Sequence, residues 1–350
     1  MGVTTNDIFG GAAGAQPATP GSYGEAPHGT RLPEATRLGP VRLDIADLAR
    51  SLDFYTGTLG LRVVERDAER AVLAAQRDAA NDVDTPLVEL RERRGARPAP
   101  HRGRLGLYHF AILLPDRAAL GRFVRHLADI GARPGAGDHL VSEAFYLQDP
   151  DNLGIEVYAD RPRSTWRRVG RKLMMATDPV DVADLVRAAG ETRWEGMPAG
   201  TVMGHVHLHV GDIARAAAFF SEALGFDRTV WSYPGALFLS AGGYHHHLGA
   251  NTWAGTGARP AGEGDARLAE WTIELPDAAS VQGLAASLER AGHPADRDGS
   301  RVTTSAPSRS AGWPACSRLA AARCTLAASG SSMVHSASRA SPSPAARAPT

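Results

Sequence analysis

The sequence predicts an α+β chain made of four βαβββ units, and three observations lead there. A short extended run ending in Asp recurs four times, each time followed by a helix-period segment closed by Gly. The spacing between that Asp and that Gly alternates along the chain. Asp47 to Gly60 equals Asp212 to Gly225, and Asp116 to Gly131 equals Asp277 to Gly292. After each helix come further period-two runs divided by turn residues. Odd units match odd and even match even, as in a duplicated two-unit domain.

Each element has a local cause. The strands open at Val41, Tyr108, His205 and Trp271 and run into Asp47, Asp116, Asp212 and Asp277. Each Asp can accept from the free N–H groups of a first helical turn, and each Gly can take the left-handed conformation that ends a helix. Between them Leu48, Leu52, Tyr55 and Leu59, and likewise Ile213, Ala217, Phe220 and Leu224, fall on one helical face. Later strands include Ala144–Gln148 and Gly154–Tyr158, joined by the turn Asp149-Pro150-Asp151-Asn152.

A length of 350 residues fits two domains, read as 38–160 and 201–300 with a linker over 161–200 that holds a short helix. Residues 1–37 are rich in Gly, Ala, Thr and Pro and read as a disordered leader without the basic and apolar regions of a secretory signal. Lys+Arg and Asp+Glu are both 38, so net charge is zero, and no basic stripe with aromatics points to nucleic acid. No apolar run approaches the roughly 18 residues that span a bilayer. Both cysteines, Cys316 and Cys324, fall near the C-terminus, so any metal in the body is held by His and carboxylate. A cytoplasmic address is the default. Past Ser300 the chain turns to Ser, Ala, Arg and Pro without period. Residues 301–350 therefore read as a disordered, aberrant tail, which leaves the fourth unit incomplete.

The chemistry concentrates in Gly204-His-Val-His-Leu-His-Val210. In a strand, His205, His207 and His209 share one face, and Val206, Leu208 and Val210 the other. With Tyr244-His-His-His-Leu248, this region holds six of the 13 histidines. Neutral imidazole is the commonest metal ligand among side chains. If alternation holds with Leu248 toward the helices, His245 and His247 face the His strand, while Tyr244 and His246 face away. A bulge after Gly243 reverses this.

Four strings carry a wider likeness: Gly106–Asp116, Asp149–Trp166, Gly204–Val210 and Gly242–Trp253. With the βαβββ plan they resemble the vicinal oxygen chelate superfamily of glyoxalases, bleomycin-resistance proteins and extradiol dioxygenases, in its catechol-2,3-dioxygenase-like branch. The likeness runs from about Leu38 to Ser300. It implies two half-open barrels, each made of two units, with a divalent metal on a concave face. The first-strand ligand position stands seven residues before the helix-starting Asp, at Pro40, His109, His205 and Glu270. The other lies in a unit's last strand, at Glu156 in unit two and nearest His247 in unit three.

Which units share a barrel decides the set. Sequential pairing puts His205, His247 and Glu270 in the second barrel, the favoured reading. Pairing of units two and three instead gathers His109, Glu156, His205 and His247. Either reading offers the two-His, one-carboxylate set that suits Fe(II), with Mn, Zn or Ni as other metals. The resemblance implies a ring-cleaving dioxygenase acting on a catechol or hydroquinone with O2. His207 and His245 would supply the acid/base step, His207 lying about 6.6 Å of strand rise from His205. A glyoxalase-like isomerase or lyase, and a non-catalytic binder of aromatic ligands, stay open. So does a homo-oligomer, because an incomplete barrel exposes strand edges. His139, Tyr146 and Tyr158 read as a surface histidine and two core aromatics.

Overall fold

A computed structural model describes residues 3–10, 14–77, 84–255, 257–298, 301–305 and 323–328. The four units are present. Unit one comprises β1 (Arg37–Ile45), α1 (Leu48–Leu52), β2 (Arg62–Arg66), β3 (Arg70–Ala74) and β4 (Pro86–Glu92). Unit two comprises β5 (Arg104–Leu113), α2 (Arg117–Asp129), β6 (Gly135–Asp138), β7 (Ser142–Gln148) and β8 (Gly154–Asp160). A linker helix, α3 (Val182–Ala188), follows. Unit three has β9 (Val202–His209), α4 (Ile213–Ala217), β10 (Asp227–Val230), β11 (Ala236–Ser240) and β12 (Leu248–Asn251). Unit four has β13 (Arg267–Leu275), α5 (Ala278–Arg290), β14 (Ala295–Asp298), β15 (Arg301–Ser305) and β16 (Arg323–Ala328).

The helix punctuation matches the sequence reading. Asp47, Asp116, Asp212 and Asp277 each accept from the backbone N–H three residues on. Gly60, Gly131, Gly225 and Gly292 all have left-handed φ, between 72° and 89°. The odd units add a π-helical turn after their short α-helix, at Asp53–Thr58 and Ala218–Ala223. That turn seats Tyr55 and Phe220 in the core.

Two sheets carry one strand order. The first runs β10-β11-β12-β9-β5-β8-β7-β6 and the second β14-β15-β16-β13-β1-β4-β3-β2. Units two and three therefore share one sheet, and units one and four the other. This overturns the favoured sequential pairing. The physical reason lies in what the first strands carry. Across β1 and β13, Arg42 pairs with Glu270, and the nearly buried Asp44 pairs with Arg267 and Arg93. Breaking such a set strands a buried charge. Across β5 and β9, the imidazole faces meet instead, with His207 opposite His109 and His205 opposite Ala111. Phe110, Ile112, Val206 and Leu208 turn the other way, into the main apolar core.

Two further expectations are corrected. The fourth unit is closed: β15 pairs with β14 and β16, and β16 runs parallel to β13 as β8 runs parallel to β5. Without β16 the outer edge of β13 would be a row of open backbone groups. The strands are short and rich in Thr and Ala, so no long apolar period announces them. The rest of the expected tail, 306–322 and 329–350, lies outside the described residues. The leader is not disordered where described. Gln16–Pro17 pairs with Arg167–Val169, Thr5–Phe9 is helical with a capping box at Thr4, and the Tyr23 hydroxyl donates to Gly243 O at 2.6 Å. Val3, Ile8, Ala18 and Tyr23 join Trp166, Tyr233 and Phe238 in a second apolar cluster. No helix among the described residues is long and apolar enough to cross a membrane.

Candidate metal centre

Three strands of the first sheet bring one ligand atom each to a common point. β5 supplies His109, β8 supplies Glu156 and β9 supplies His205. Parallel pairing puts Glu156 beside Ala111, and antiparallel pairing puts His205 on its other side, so small Ala111 stands between them. His109 Nε2 is 3.0 Å from Glu156 Oε2, His205 Nε2 is 3.2 Å from the same oxygen, and the two nitrogens are 3.3 Å apart. All three side chains are buried.

Burial pushes both imidazoles below their usual range, only partly offset by the carboxylate. Burial acting alone would raise Glu156, but His205 and His109 outweigh it and hold this carboxyl well below the ordinary value. Neutral imidazole and ionised carboxylate are the forms that bind metal. The triangle also has the right size: ligands at about 2.1 Å from a first-row ion stand roughly 3.0–3.4 Å apart in octahedral or tetrahedral sites. The donor set fits a divalent cation.

Around this triangle the concave face is lined by Ala111, Ala144 and Tyr158, with Tyr146 packed beside them. The Tyr146 hydroxyl donates to His139 Nε2 at 2.5 Å, while His139 Nδ1 donates to Ala176 O. His139 and Tyr146 thus belong to the site's wall rather than to a surface and a core. Tyr158 donates to the Tyr244 hydroxyl, 2.7 Å away, and Tyr244 donates to Asp160. Gly204 makes room for this, since a Cβ there would lie 1.9 Å from the Tyr158 hydroxyl.

His207 sits beside the triangle, its ring centroid 5.0 Å from that of His109. Its tautomer can be read. Asn251 Oδ1 accepts from the Trp253 backbone N–H, which fixes the amide, so Asn251 Nδ2 donates to His207 Nε2 at 3.0 Å. The neutral ring then carries its proton on Nδ1. Gly249 leaves space for that ring, because a Cβ there would come within 2.7 Å of it. His209 stands further out and donates to Asn251 Oδ1 at 2.6 Å.

The second His block does not follow strand alternation. Gly242 and Gly243 both have φ near +60°, and residues 244–247 form an irregular turn before β12 begins at Leu248. As a result His246, expected to face away, packs against His205 with centroids 4.0 Å apart and the rings tilted by 42°. His247, expected as a ligand, turns aside: its Nδ1 accepts from Ala241 N–H at 3.2 Å, and its ring lies near Phe226. Glu270 is on the other sheet, bound to Arg42. Neither residue joins the triangle, and among the described residues the grouped ligands are His109, Glu156 and His205.

His245 Nε2 donates to Asp160 Oδ1 at 3.0 Å, so its Nδ1 accepts, 2.6 Å from His246 Nδ1. His246 therefore donates from Nδ1 and keeps its lone pair on Nε2. The sequence reading missed His246; the paired glycines before it are the signal that alternation fails there.

Residues 37–157 and 202–305 match the Glyoxalase/Bleomycin resistance protein/Dioxygenase superfamily. A protein named catechol-2,3-dioxygenase from Bacillus subtilis (strain 168) is 44% identical over 267 residues, covering 75% of this chain and 91% of that one. The crystal structure of a proposed dioxygenase from Bacillus subtilis subsp. subtilis str. 168 superposes with a TM-score of 0.55 at 11% identity, over 85% of this chain and 86% of that one. That likeness is one of fold. Doubled βαβββ units, curled sheets and matching sequence over most of its length lead to one conclusion: the chain belongs to the glyoxalase/bleomycin resistance/dioxygenase superfamily, the vicinal oxygen chelate proteins.

Proposed function

We propose that this protein is an extradiol ring-cleaving dioxygenase that uses Fe(II) held by His109, Glu156 and His205 and acts on a catechol or hydroquinone. The observation that carries the reading is the triangle of three ligand atoms, two imidazole and one carboxylate, on the concave face. The similarity to a protein named catechol-2,3-dioxygenase supports it. Bound by His109, Glu156 and His205, a divalent metal would supply Lewis acidity toward the substrate's oxygens.

The chain's own residues handle protons and water. His246, packed against His205, accepts the proton of a substrate hydroxyl at Nε2. Burial, then the imidazoles of His205, His245 and His207, push His246 well down its range and keep the ring neutral. His245 and Asp160 orient it from behind, which makes His245 a positioning residue. His207 offers its Nδ1–H to substrate oxygen from the other side. Ala111, Ala144 and the buried Tyr158 keep water from the concave face.

The test is oxygen uptake by protein loaded with Fe(II) under anaerobic conditions and then given a catechol and air-saturated buffer. One O2 consumed per ring opened is the expected result. No uptake by fully loaded protein across catechols and hydroquinones contradicts the proposal.

A further inference from the structure

Alternation along β5 puts Tyr108 on the face opposite His109, yet the structure places it on the same side. The register of β5 against β9 explains this: His207 is opposite His109, but Leu208 is opposite Leu107. Tyr108 is the extra residue of a β-bulge, a device that re-aims a side chain. Its ring lies 4.9 Å from His109, 5.2 Å from His207 and 4.7 Å from His209, centroid to centroid.

Trp253 stands across from it, with centroids 5.7 Å from Tyr108 and 5.6 Å from His207. Its indole N–H donates to Pro234 O at 2.9 Å, and its backbone N–H to Asn251 Oδ1 at 3.0 Å. Asn251 in turn holds His207, so the Trp253 ring and the His207 ring are positioned by one amide. Among the described residues five large hydrophobic side chains are exposed, and the two aromatic ones are Tyr108 (39%) and Trp253 (41%). Both adjoin the same imidazole. Fixed aromatic faces left open beside a dry site are a binding feature.

We infer that Tyr108 and Trp253 determine substrate choice by receiving an apolar, planar substituent on the catechol ring. This rests on the ring-cleaving reading for the identity of the reacting part, but the pair's own role is one of binding. The reacting ring occupies the space by His207 and the triangle. The substituent covers the two exposed rings, and His209, held by the buried Asn251, stands at their polar edge.

The experiment compares unsubstituted catechol with phenyl-substituted catechols on the Fe(II)-loaded protein and on Trp253→Ala and Tyr108→Ala. The expected result is a loss of about tenfold to hundredfold in kcat/KM for the phenyl compounds, the size of an apolar pocket's discrimination, carried by KM. The readout is the ratio of kcat/KM for the phenyl compounds to that for catechol, which falls by about tenfold or more in each variant, whatever catechol itself loses through the rings packed on His109 and His207. Equal losses on both substrates, or none on the phenyl compounds, overturn the inference. Anaerobic calorimetric titration of the same compounds needs no turnover. Tighter binding of the phenyl compounds that disappears in Trp253→Ala upholds the pair, even if no oxygen is consumed and the ring-cleaving reading fails. Equal affinities for all compounds in the unaltered protein overturn it.

Discussion

Glu156→Gln should leave the fold standing and lower the ring-cleaving rate by about 10³-fold or more. The expectation follows from charge and geometry. Glu156 is the single carboxylate of the triangle, buried and within 3.2 Å of both imidazole nitrogens. Glutamine keeps its volume and can still bond an imidazole, so packing around Ala111 and Ile155 is little disturbed. It does not keep the negative charge that a divalent cation needs. Several kcal/mol of transition-state stabilisation go with the metal, which converts to about three decades at 1.36 kcal/mol per decade. The circular dichroism spectrum should be unchanged while oxygen uptake disappears. Full activity in Glu156→Gln would show that this carboxylate is no ligand.

Acid should destabilise the protein early, from about pH 6.5 downward. His247 is buried, and burial, followed by the imidazoles of His245 and His205, pushes it down to about 3. In the unfolded chain it titrates near 6.5. A depressed folded-state value means the unfolded chain binds the extra proton. The contribution of neutral His247 is therefore complete above pH 6.5 and is lost as pH falls from 6.5 toward 3. The slope is about 1.4 kcal/mol per pH unit, on the order of 4–5 kcal/mol over the window. His207 and His246, driven well down by burial in the same way, steepen the loss. Against a usual total of about 5–15 kcal/mol this is large. Urea midpoints measured from pH 7.5 to 4 should fall steadily, and His247→Asn should flatten the slope by one proton. A midpoint constant across that range would contradict the account of the buried imidazoles.

The fold was largely legible because each unit is punctuated by residues acting locally. Asp47, Asp116, Asp212 and Asp277 cap within three residues, and the four closing glycines need only their own φ. The resemblance singled out His109, Glu156 and His205 among its candidate ligand positions, and the structure brings these three together. Which units pair was not legible. That choice depends on what meets across strands far apart in sequence: Arg42 with Glu270 and Asp44 with Arg267 on one sheet, imidazole with imidazole on the other. The facing of residues 244–247 was lost to two left-handed glycines, and that of Tyr108 to a bulge visible only in the register of two strands. The leader and β16 escaped notice because their order comes from tertiary partners, not from periodicity of their own.

The central claim is that one metal centre exists and that units two and three build it. Anaerobic Fe(II) titration with elemental analysis tests this on the unaltered protein, on His109→Ala, and on the double variant Glu270→Gln with His247→Asn. The account predicts about one iron per chain in the unaltered protein and in the double variant, and almost none in His109→Ala. Iron retained by His109→Ala and lost from the double variant would contradict it.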